Sequence, residues 1–132
     1  MKRGCSGSTV VAALFDGVRS VTIANVGDSR CVLCRKGRAV GLSIDHKPTR
    51  PDETARIVDA GGFVFMKRVM GQLAVSRAIG DTNFKKDSCK VVVPEPDFYE
   101  VETRDERVGN FLLLLCVCVC VCVWYFKVCV YI

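Results

Sequence analysis

Apolar and polar positions divide the first 110 residues into short segments separated by turn signals. Short β-branched runs predict strands at Thr9–Phe15, Ser20–Val26, Cys31–Cys34 and Ala39–Leu42. Turn signals between them, among them the Asp16-Gly17 pair, recur about every ten residues, a spacing typical of an antiparallel meander.

One helix is indicated between residues 50 and 60. Thr49 is a candidate N-cap and Pro51 fits the first turn. Asp52 and Glu53 favour the positive end of the helix dipole. The Gly61-Gly62 pair ends the helix, because glycine readily adopts the left-handed conformation that follows a last turn.

Further strands are predicted after the helix. Phe63–Phe65 is strand-like, Val91–Val93 is a short apolar run closed by prolines, and Asp97–Glu102 alternates as a half-exposed strand does. Residues 71–81 remain ambiguous between a short strand and a turn. The main part of the chain is therefore predicted to be strand-rich α+β.

Composition separates the end of the chain from the rest. Among the 22 residues from Phe111 to Ile132, 21 are apolar and Lys127 is the one charged residue. Five of the nine cysteines lie there as well. An odd cysteine count without a regular framework, and no apolar leader, argue against a secreted disulfide scaffold. We therefore expect a cytoplasmic or nuclear protein.

The net charge of +5 is mild, and no basic run exceeds two residues. Without longer basic runs or interleaved aromatics, we expect no nucleic-acid partner. Nucleotide-binding loops and serine-hydrolase motifs are absent from the sequence, which leaves those classes without support.

Two carboxylates lie at predicted turns. Asp28, in the stretch Asn25-Val26-Gly27-Asp28-Ser29-Arg30, would project past a sheet edge, where a hydrated Mg²⁺ or Mn²⁺ could be held by oxygen ligands. The alternative is a turn former that bonds its own backbone. Asp81, after Gly80, has the same two interpretations.

Two further residues are candidates for chemistry. His46 is the one histidine of the chain, and it is either a general acid or a loop residue held before a proline turn. Arg68 either holds a substrate phosphate by a bidentate contact or is half of a solvated basic pair with Lys67. Cys31 and Cys34 have no second pair, so a zinc site is not expected.

Several motifs together resemble one family. They are Gly7-Ser8-Thr9, ANVGDSR at 24–30, DHKP at 45–48, ARIVDAGG at 55–62, RVMGQLAVSRAIGD at 68–81 and PEPD at 94–97. Their order and spacing resemble the central part of the metal-dependent protein serine/threonine phosphatases of the PPM, or type 2C, family. The resemblance covers roughly residues 4–116.

The resemblance implies a partial α–β–β–α sandwich of antiparallel sheets. It also implies hydrolysis of phosphoserine and phosphothreonine in proteins with two Mg²⁺ or Mn²⁺ ions as cofactors. Asp28 matches a carboxylate that in the family holds a third, weaker metal. Arg68 matches a position in a flap segment that contacts the phosphoprotein substrate.

Departures from the family pattern concern the metal site. The sequence contains no DGHGG-type motif, no matching phosphate-binding arginine and no late GSxDN-type motif. After the strand-like Phe111–Cys116, the family has Asp where this chain has Val117. No catalytic residue is therefore carried over, and we predict that this chain alone is inactive. The alternative function is a non-catalytic, pseudophosphatase-like module that binds phosphoproteins or a partner.

The end of the chain has three interpretations. Its apolar run is slightly short for a membrane span, its Cys-Val alternation favours a strand, and Cys-Val repeats also arise when a TGTGTG repeat is translated. We favour the last and expect no membrane anchor. The predicted organisation is a partial phosphatase-like domain over 1–116 and an apolar tail over 117–132 outside the fold.

Overall fold

The computed structural model describes residues 6–15, 20–35, 37–86, 89–102, 111–115 and 120–123. This part of the chain is mostly β-structure with one α-helix, α1 (Pro51–Asp59), and a 3-10 helix at Thr82–Phe84. The longer strands are β2 (Val10–Phe15), β3 (Ser20–Val26), β4 (Arg30–Arg35), β5 (Arg38–Gly41), β11 (Asp97–Glu102), β12 (Phe111–Leu115) and β13 (Cys120–Val123). The two-residue strands are β1 (Gly7–Ser8), β6 (Val64–Phe65), β7 (Arg68–Val69), β8 (Ile79–Gly80), β9 (Lys85–Lys86) and β10 (Cys89–Lys90).

Two antiparallel sheets enclose the first of two hydrophobic clusters among the described residues. One has the strand order β11-β3-β2 and the other the order β13-β12-β4-β5. Alternate residues of each strand point to the same face, and those of the two facing sides pack together. The buried cluster consists of Val11, Ala13, Val21, Ile23, Cys31 and Leu33.

The predicted four-strand meander is wrong at its centre. The β2–β3 and β4–β5 pairs form as expected, but β3 and β4 belong to different sheets. The chain crosses between the sheets at Gly27–Ser29, so that Ile23 of β3 and Cys31 of β4 meet across the core. A meander would have left these apolar faces without a facing layer. The predicted Asp16-Gly17 turn lies outside the described residues.

The helix begins one residue later than a Thr49 cap would require. Arg50 occupies the N-cap and makes no side-chain capping bond, so the Thr49 prediction is wrong. Instead, the Thr54 hydroxyl donates to the Pro48 carbonyl at 2.6 Å, which fixes the entry to the helix. Ile57 is fully buried and anchors α1 in a second apolar cluster.

The predicted strand Val91–Val93 is also wrong. Val91 and Val92 are buried in the second cluster with Ile57, and Val93 makes only an isolated parallel bridge to Arg77. Their apolar character therefore reflects burial under the helix rather than membership of a sheet.

Of the apolar tail, the structure describes Cys120–Val123. This segment forms β13 and pairs antiparallel with β12, with Leu112 opposite Val123 and Leu115 opposite Cys120. The division into a domain over 1–116 and a separate tail stays a prediction. Among the described residues, no helix has the length and apolar character that a membrane span requires.

Candidate functional site

The turn at Gly27–Ser29 places Asp28 between the two sheets. Gly27 has φ +99°, and a Cβ there would lie 2.2 Å from Cγ2 of Thr9. The Thr9 and Ser29 hydroxyl oxygens are 2.7 Å apart and share a hydrogen bond. Only glycine fits this backbone and this close approach, which explains the Gly-Asp sequence.

Asp28 is already neutralised by a neighbouring lysine. Its Oδ2 accepts a hydrogen bond from the Lys47 ammonium, and its side chain is 15% exposed. Beside this pair, Arg30 contacts Asp45 through two hydrogen bonds of 2.8 and 2.9 Å. The edge that carries Asp28 therefore consists of matched charges on the GDSR and DHKP segments.

His46 lies directly beneath this turn. Its Nδ1 accepts a hydrogen bond of 3.0 Å from the backbone N–H of Gly27, and its side chain is fully buried. Burial and the nearby Arg77 guanidinium hold the pKa of His46 below its usual value. The imidazole is therefore neutral, and because Nδ1 accepts, its proton is on Nε2.

The Nε2 atom faces Asp97. It is 3.1 Å from Oδ2 of that residue, although the N–H direction departs from the line between the two atoms. Full burial argues against the general-acid interpretation of His46, since a general acid must come within hydrogen-bond reach of the substrate. The interpretation as a residue held within the DHKP segment agrees with the structure.

A buried carboxylate in α1 lies next to this site. Glu53 is 1% exposed, and it accepts hydrogen bonds from Arg77 at 2.7 and 3.0 Å and from Arg56 at 2.9 Å. Burial by itself would raise the pKa of Glu53, but the two guanidinium groups outweigh it and bring that pKa from 4.5 to about 2. Glu53 is thus charged at neutral pH and fully paired.

Asp97, at the start of β11, connects the two groups. It accepts 2.8 Å and 3.3 Å contacts from Arg77 and Arg50 in addition to facing His46. Burial favours the protonated form, but His46 and Arg77 outweigh it and lower the pKa of Asp97. The network therefore joins α1, the 76–78 segment, β11 and the turn that carries Asp28.

The hairpin β6–β7 presents Arg68. The two-residue turn between these strands consists of Met66 and Lys67, both at positive φ (48° and 61°). Arg68 is exposed and donates 2.7 Å from Nη1 to the Gln72 carbonyl. Met66 is 77% exposed, so the hairpin carries a cation beside an uncovered apolar surface. Within the described residues, Arg68 and Asp28 share no hydrogen bond or ion pair.

Asp81 occupies a turn of its own. Its backbone is left-handed, with φ 47°, and its carboxylate lies against Gly7, where a Cβ would be 1.9 Å from Oδ2. This packing agrees with the turn-former interpretation.

The described residues do not fit a pair of metal ions. Among the described residues, no three His, Cys, Asp or Glu side chains are grouped so that they could hold a metal. Asp28 is paired with Lys47, and the neighbouring Asp45 is paired with Arg30. Two divalent ions need several anionic oxygens to offset their partial dehydration.

Comparisons with known proteins agree with the resemblance. A family model described as protein phosphatase 2C matches residues 2–125. The chain belongs to the protein phosphatase 2C family. In this member of the family, the GDSR, DHKP and SRAIGD segments meet at one edge of a strand-rich unit.

Relatives within the protein phosphatase 2C family are similar over most of this chain. It is 50% identical over 111 residues to probable protein phosphatase 2C 30 of Oryza sativa subsp. japonica, covering 82% of this chain and 26% of that protein. Identity to protein phosphatase 2C homolog 2 of Schizosaccharomyces pombe is 46% over 121 residues, covering 86% and 32%. The chain thus spans about a quarter to a third of these relatives.

Solved structures of other proteins share the fold. A phosphatase from a pathogenic strain of Toxoplasma gondii matches with TM-score 0.63 and 40% identity, over 72% of this chain and 30% of that one. A C. elegans sex determining protein matches with TM-score 0.69 and 27% identity, over 82% of this chain and 26% of that one.

Sequence reasoning missed the charge network. The sequence patterns indicate a helix-dipole role for Glu53 and do not single out Arg77 or Asp97. Arg50 and Arg56 flank Glu53 at i±3 spacing, which is a signal of local pairing. No comparable signal connects Glu53 with Arg77 or Arg77 with Asp97, because their proximity depends on the fold.

Proposed function

We propose that this chain is the central part of a metal-dependent phosphatase domain that hydrolyses phosphoserine and phosphothreonine in proteins. The observation that carries the proposal is the match of the protein phosphatase 2C model to residues 2–125. The buried support beneath the Gly27–Asp28 turn adds to it, since that turn is built to hold a carboxylate in one place.

The architecture of that domain would be an α–β–β–α sandwich. Its two inner layers would be the β11-β3-β2 sheet and the sheet that contains β4 and β5, which already pack face to face. Leu14 is 59% exposed and Phe98 is 69% exposed on the outer face of the first sheet. Apolar side chains on that face favour a covering helical layer in the whole domain.

Mg²⁺ or Mn²⁺ would be the cofactor, and such ions activate water and neutralise phosphoryl charge. In this chain Asp28 is the residue we assign to a metal, and Lys47 would have to leave it. The described residues supply no second ligand set. We therefore propose that this chain does not turn over substrate by itself, and we derive no catalytic step from it.

Arg68 is the residue we assign to the phosphoprotein substrate. Its guanidinium is exposed and makes one hydrogen bond to the backbone, to Gln72, so its remaining N–H groups are available for a phosphate or a backbone carbonyl. The adjacent uncovered Phe65 and Met66 would contact the peptide around the phosphorylated residue.

The first experiment uses the chain as it is. Purified protein is incubated with Mn²⁺ and a phosphothreonine peptide, and phosphate release is compared with a metal-free control. We expect no difference between the two. Turnover that needs Mn²⁺ and disappears in Asp28→Ala would show that the chain is active alone. Binding of the peptide without turnover, lost in Arg68→Ala, would favour a non-catalytic binding module.

The second experiment tests the phosphatase function itself. Residues 6–115 replace the matching segment of the Schizosaccharomyces pombe relative, to which this chain is 46% identical. We expect Mn²⁺-dependent phosphate release from the chimera. In the chimera, Arg68→Ala should raise KM more than it lowers kcat, and Lys67→Ala is the matched control. A folded chimera without turnover, beside an active parent, would contradict the proposal.

A further inference from the structure

His46 is bonded to the Gly27 turn in both directions. Its backbone N–H donates to the Gly27 carbonyl at 2.9 Å, and its Nδ1 accepts from the Gly27 N–H at 3.0 Å. The two bonds close a ring between the residues. Because Gly27 is buried, its N–H has no water to replace Nδ1, and losing that acceptor would leave a buried donor unpaired.

Two further contacts connect His46 with other segments of the fold. Its carbonyl accepts a 3.0 Å hydrogen bond from the N–H of Ser76, and its Nε2 faces Asp97 at 3.1 Å. The next residue after Ser76, Arg77, has its carbonyl oxygen 3.2 Å from the position of a Cβ on Gly27. The turn, the DHKP segment and the 76–77 segment therefore meet at this imidazole.

The 76–77 segment is connected to the hairpin that carries Arg68. Val69, next to Arg68, donates 2.8 Å from its N–H to the Leu73 carbonyl, and Leu73 returns an N–H bond to Val69 at 3.2 Å. Val69 and Val75 are both buried in the second apolar cluster. Only Ala74 and Val75 lie between Leu73 and Ser76, whose N–H bonds His46, so the path between hairpin and turn is short and packed.

We infer that His46 is a positioning residue that fixes the Gly27–Asp28 turn against the segment leading from the Arg68 hairpin. The hydrogen bond to Nδ1 fixes the position of the Gly27–Asp28 turn. The hydrogen bond to the His46 carbonyl oxygen fixes the distance between this turn and Ser76. The inference rests on the proposed function in one respect, because the turn that His46 fixes carries Asp28, the residue assigned to a metal. Its test does not need activity.

Matched substitutions separate the two ring nitrogens. In His46→Asn, the amide oxygen takes the place of Nδ1, so the Gly27 bond is kept while the contact with Asp97 is lost. In His46→Gln, the amide nitrogen takes the place of Nε2, so the Asp97 contact is kept and the Gly27 acceptor is lost. A purely space-filling His46 would make the two variants equivalent.

The experiment measures hydrogen exchange at individual backbone amides by NMR. We expect the Gly27 amide in His46→Gln to exchange at least about tenfold faster relative to the neighbouring β3 amides, and His46→Asn to stay near the wild type. Resonances of Asp28 and Ser76 should shift together in His46→Gln. Ile57→Val, which loosens the other cluster, is the control for a general loss of stability.

A measurement on the unmodified chain covers the case in which a variant does not fold. Nitrogen-15 shifts of the imidazole should identify Nδ1 as unprotonated and Nε2 as protonated, with a coupling across the Gly27 hydrogen bond to Nδ1. The reverse tautomer, or equal exchange of Gly27 in both variants, would overturn the inference. Neither result would bear on the phosphatase assay of the chimera, so the two proposals fail separately.

Discussion

Arg77 donates two hydrogen bonds to a single oxygen of Glu53, from Nε at 3.0 Å and from Nη2 at 2.7 Å. Its remaining terminal nitrogen, Nη1, reaches Asp97 at 2.8 Å and the Glu95 carbonyl at 3.0 Å. One guanidinium therefore ties α1 to the start of β11. Because Glu53 is buried, removing its charge leaves Arg77 and Arg56 without their shared anion in a poorly solvated place.

Glu53→Gln should lower the free energy of unfolding by about 3 kcal/mol, because it leaves two guanidinium groups without their buried anion. Urea denaturation measures the change. The control is Asp52→Asn, since Asp52 also pairs with an arginine but its side chain is 60% exposed. That variant should lose less than about 1 kcal/mol. Equal losses would show that the burial of Glu53 does not increase the free-energy cost of removing its charge.

Stability should fall in two stages on acidification. The unfolded chain binds a proton at His46 near its ordinary pKa of 6.5, whereas the folded chain resists, because burial and Arg77 lower the pKa of His46 against the opposing Asp97 and Glu53. Stability is therefore lost from pH 6.5 downward until the folded pKa is reached. Glu53, whose pKa falls from 4.5 to about 2, adds a second loss between those values.

Chemical denaturation at a series of pH values tests this order. His46→Asn should remove the upper stage and leave the lower one, because asparagine does not titrate. Glu53→Gln should reduce the lower stage without abolishing it, because the pKa values of Asp52 and Asp97 are lowered as well. An unchanged upper stage in His46→Asn would assign it to another group.

Two glycines with positive φ provide a matched pair. Gly37, at φ +74°, has no atom within 4 Å of an added Cβ, whereas Gly27, at φ +99°, would place one against Thr9 at 2.2 Å. Gly37→Ala should cost about 1 kcal/mol from backbone strain alone. Gly27→Ala should cost about 3 kcal/mol, because overlap is added to strain. Thermal melts of the two variants measure the difference, and similar melting temperatures would contradict it.

Substitutions in the Met66-Lys67 turn should increase the stability of the protein. Both residues have positive φ, which suits Asn-Gly far better in a two-residue hairpin loop. The Met66→Asn, Lys67→Gly double variant should gain about 1 kcal/mol in stability. Lys67→Ala, which retains a Cβ, should gain nothing. A double variant no more stable than the wild type would show that tertiary contacts, not turn chemistry, set this hairpin.

Cys31 and Cys34 should differ in reactivity although they lie on the same strand. Cys31 is buried, and burial raises the pKa of its thiol to about 12. Cys34 is half-buried. Iodoacetamide at pH 8 should therefore modify Cys34 in the folded protein and Cys31 only after addition of denaturant. Peptide mass mapping tells the two apart, and rapid labelling of Cys31 under native conditions would contradict the fold.

Sequence patterns correctly predicted the strands in which more buried and more exposed residues alternate. β3 and β11 have the predicted bounds because alternate residues of Ser20–Val26 are buried and alternate residues of Asp97–Glu102 are less exposed than their neighbours. Val91–Val93 failed because a short apolar run under a helix has the same composition as a strand. The exchange of sheets at Gly27 could not be predicted, because turn residues show that the chain bends and not which layer it enters.

At the site, sequence patterns located Asp28 and Arg68, and their assigned roles stay predictions. They did not reveal that Lys47 pairs with Asp28, or that Glu53, Arg77 and Asp97 form one network. Ion pairs between residues 19 to 24 positions apart leave no periodic trace. Only the three-dimensional arrangement brings the GDSR, DHKP and SRAIGD segments to the same place.

The pairing of β11 with β3 has a consequence for the order of assembly. Asp97 stands opposite Asn25 in this ladder, so the intervening chain, with the helix and the hairpin, must be drawn into a long loop before the sheet is complete. Such closure is entropically costly, whereas the β2–β3 and β4–β5 hairpins close locally. We expect β11 to dock late in folding. Asp97 is the first residue of β11, so Arg50, Arg77 and His46 would contact this carboxylate only after β11 has joined the sheet.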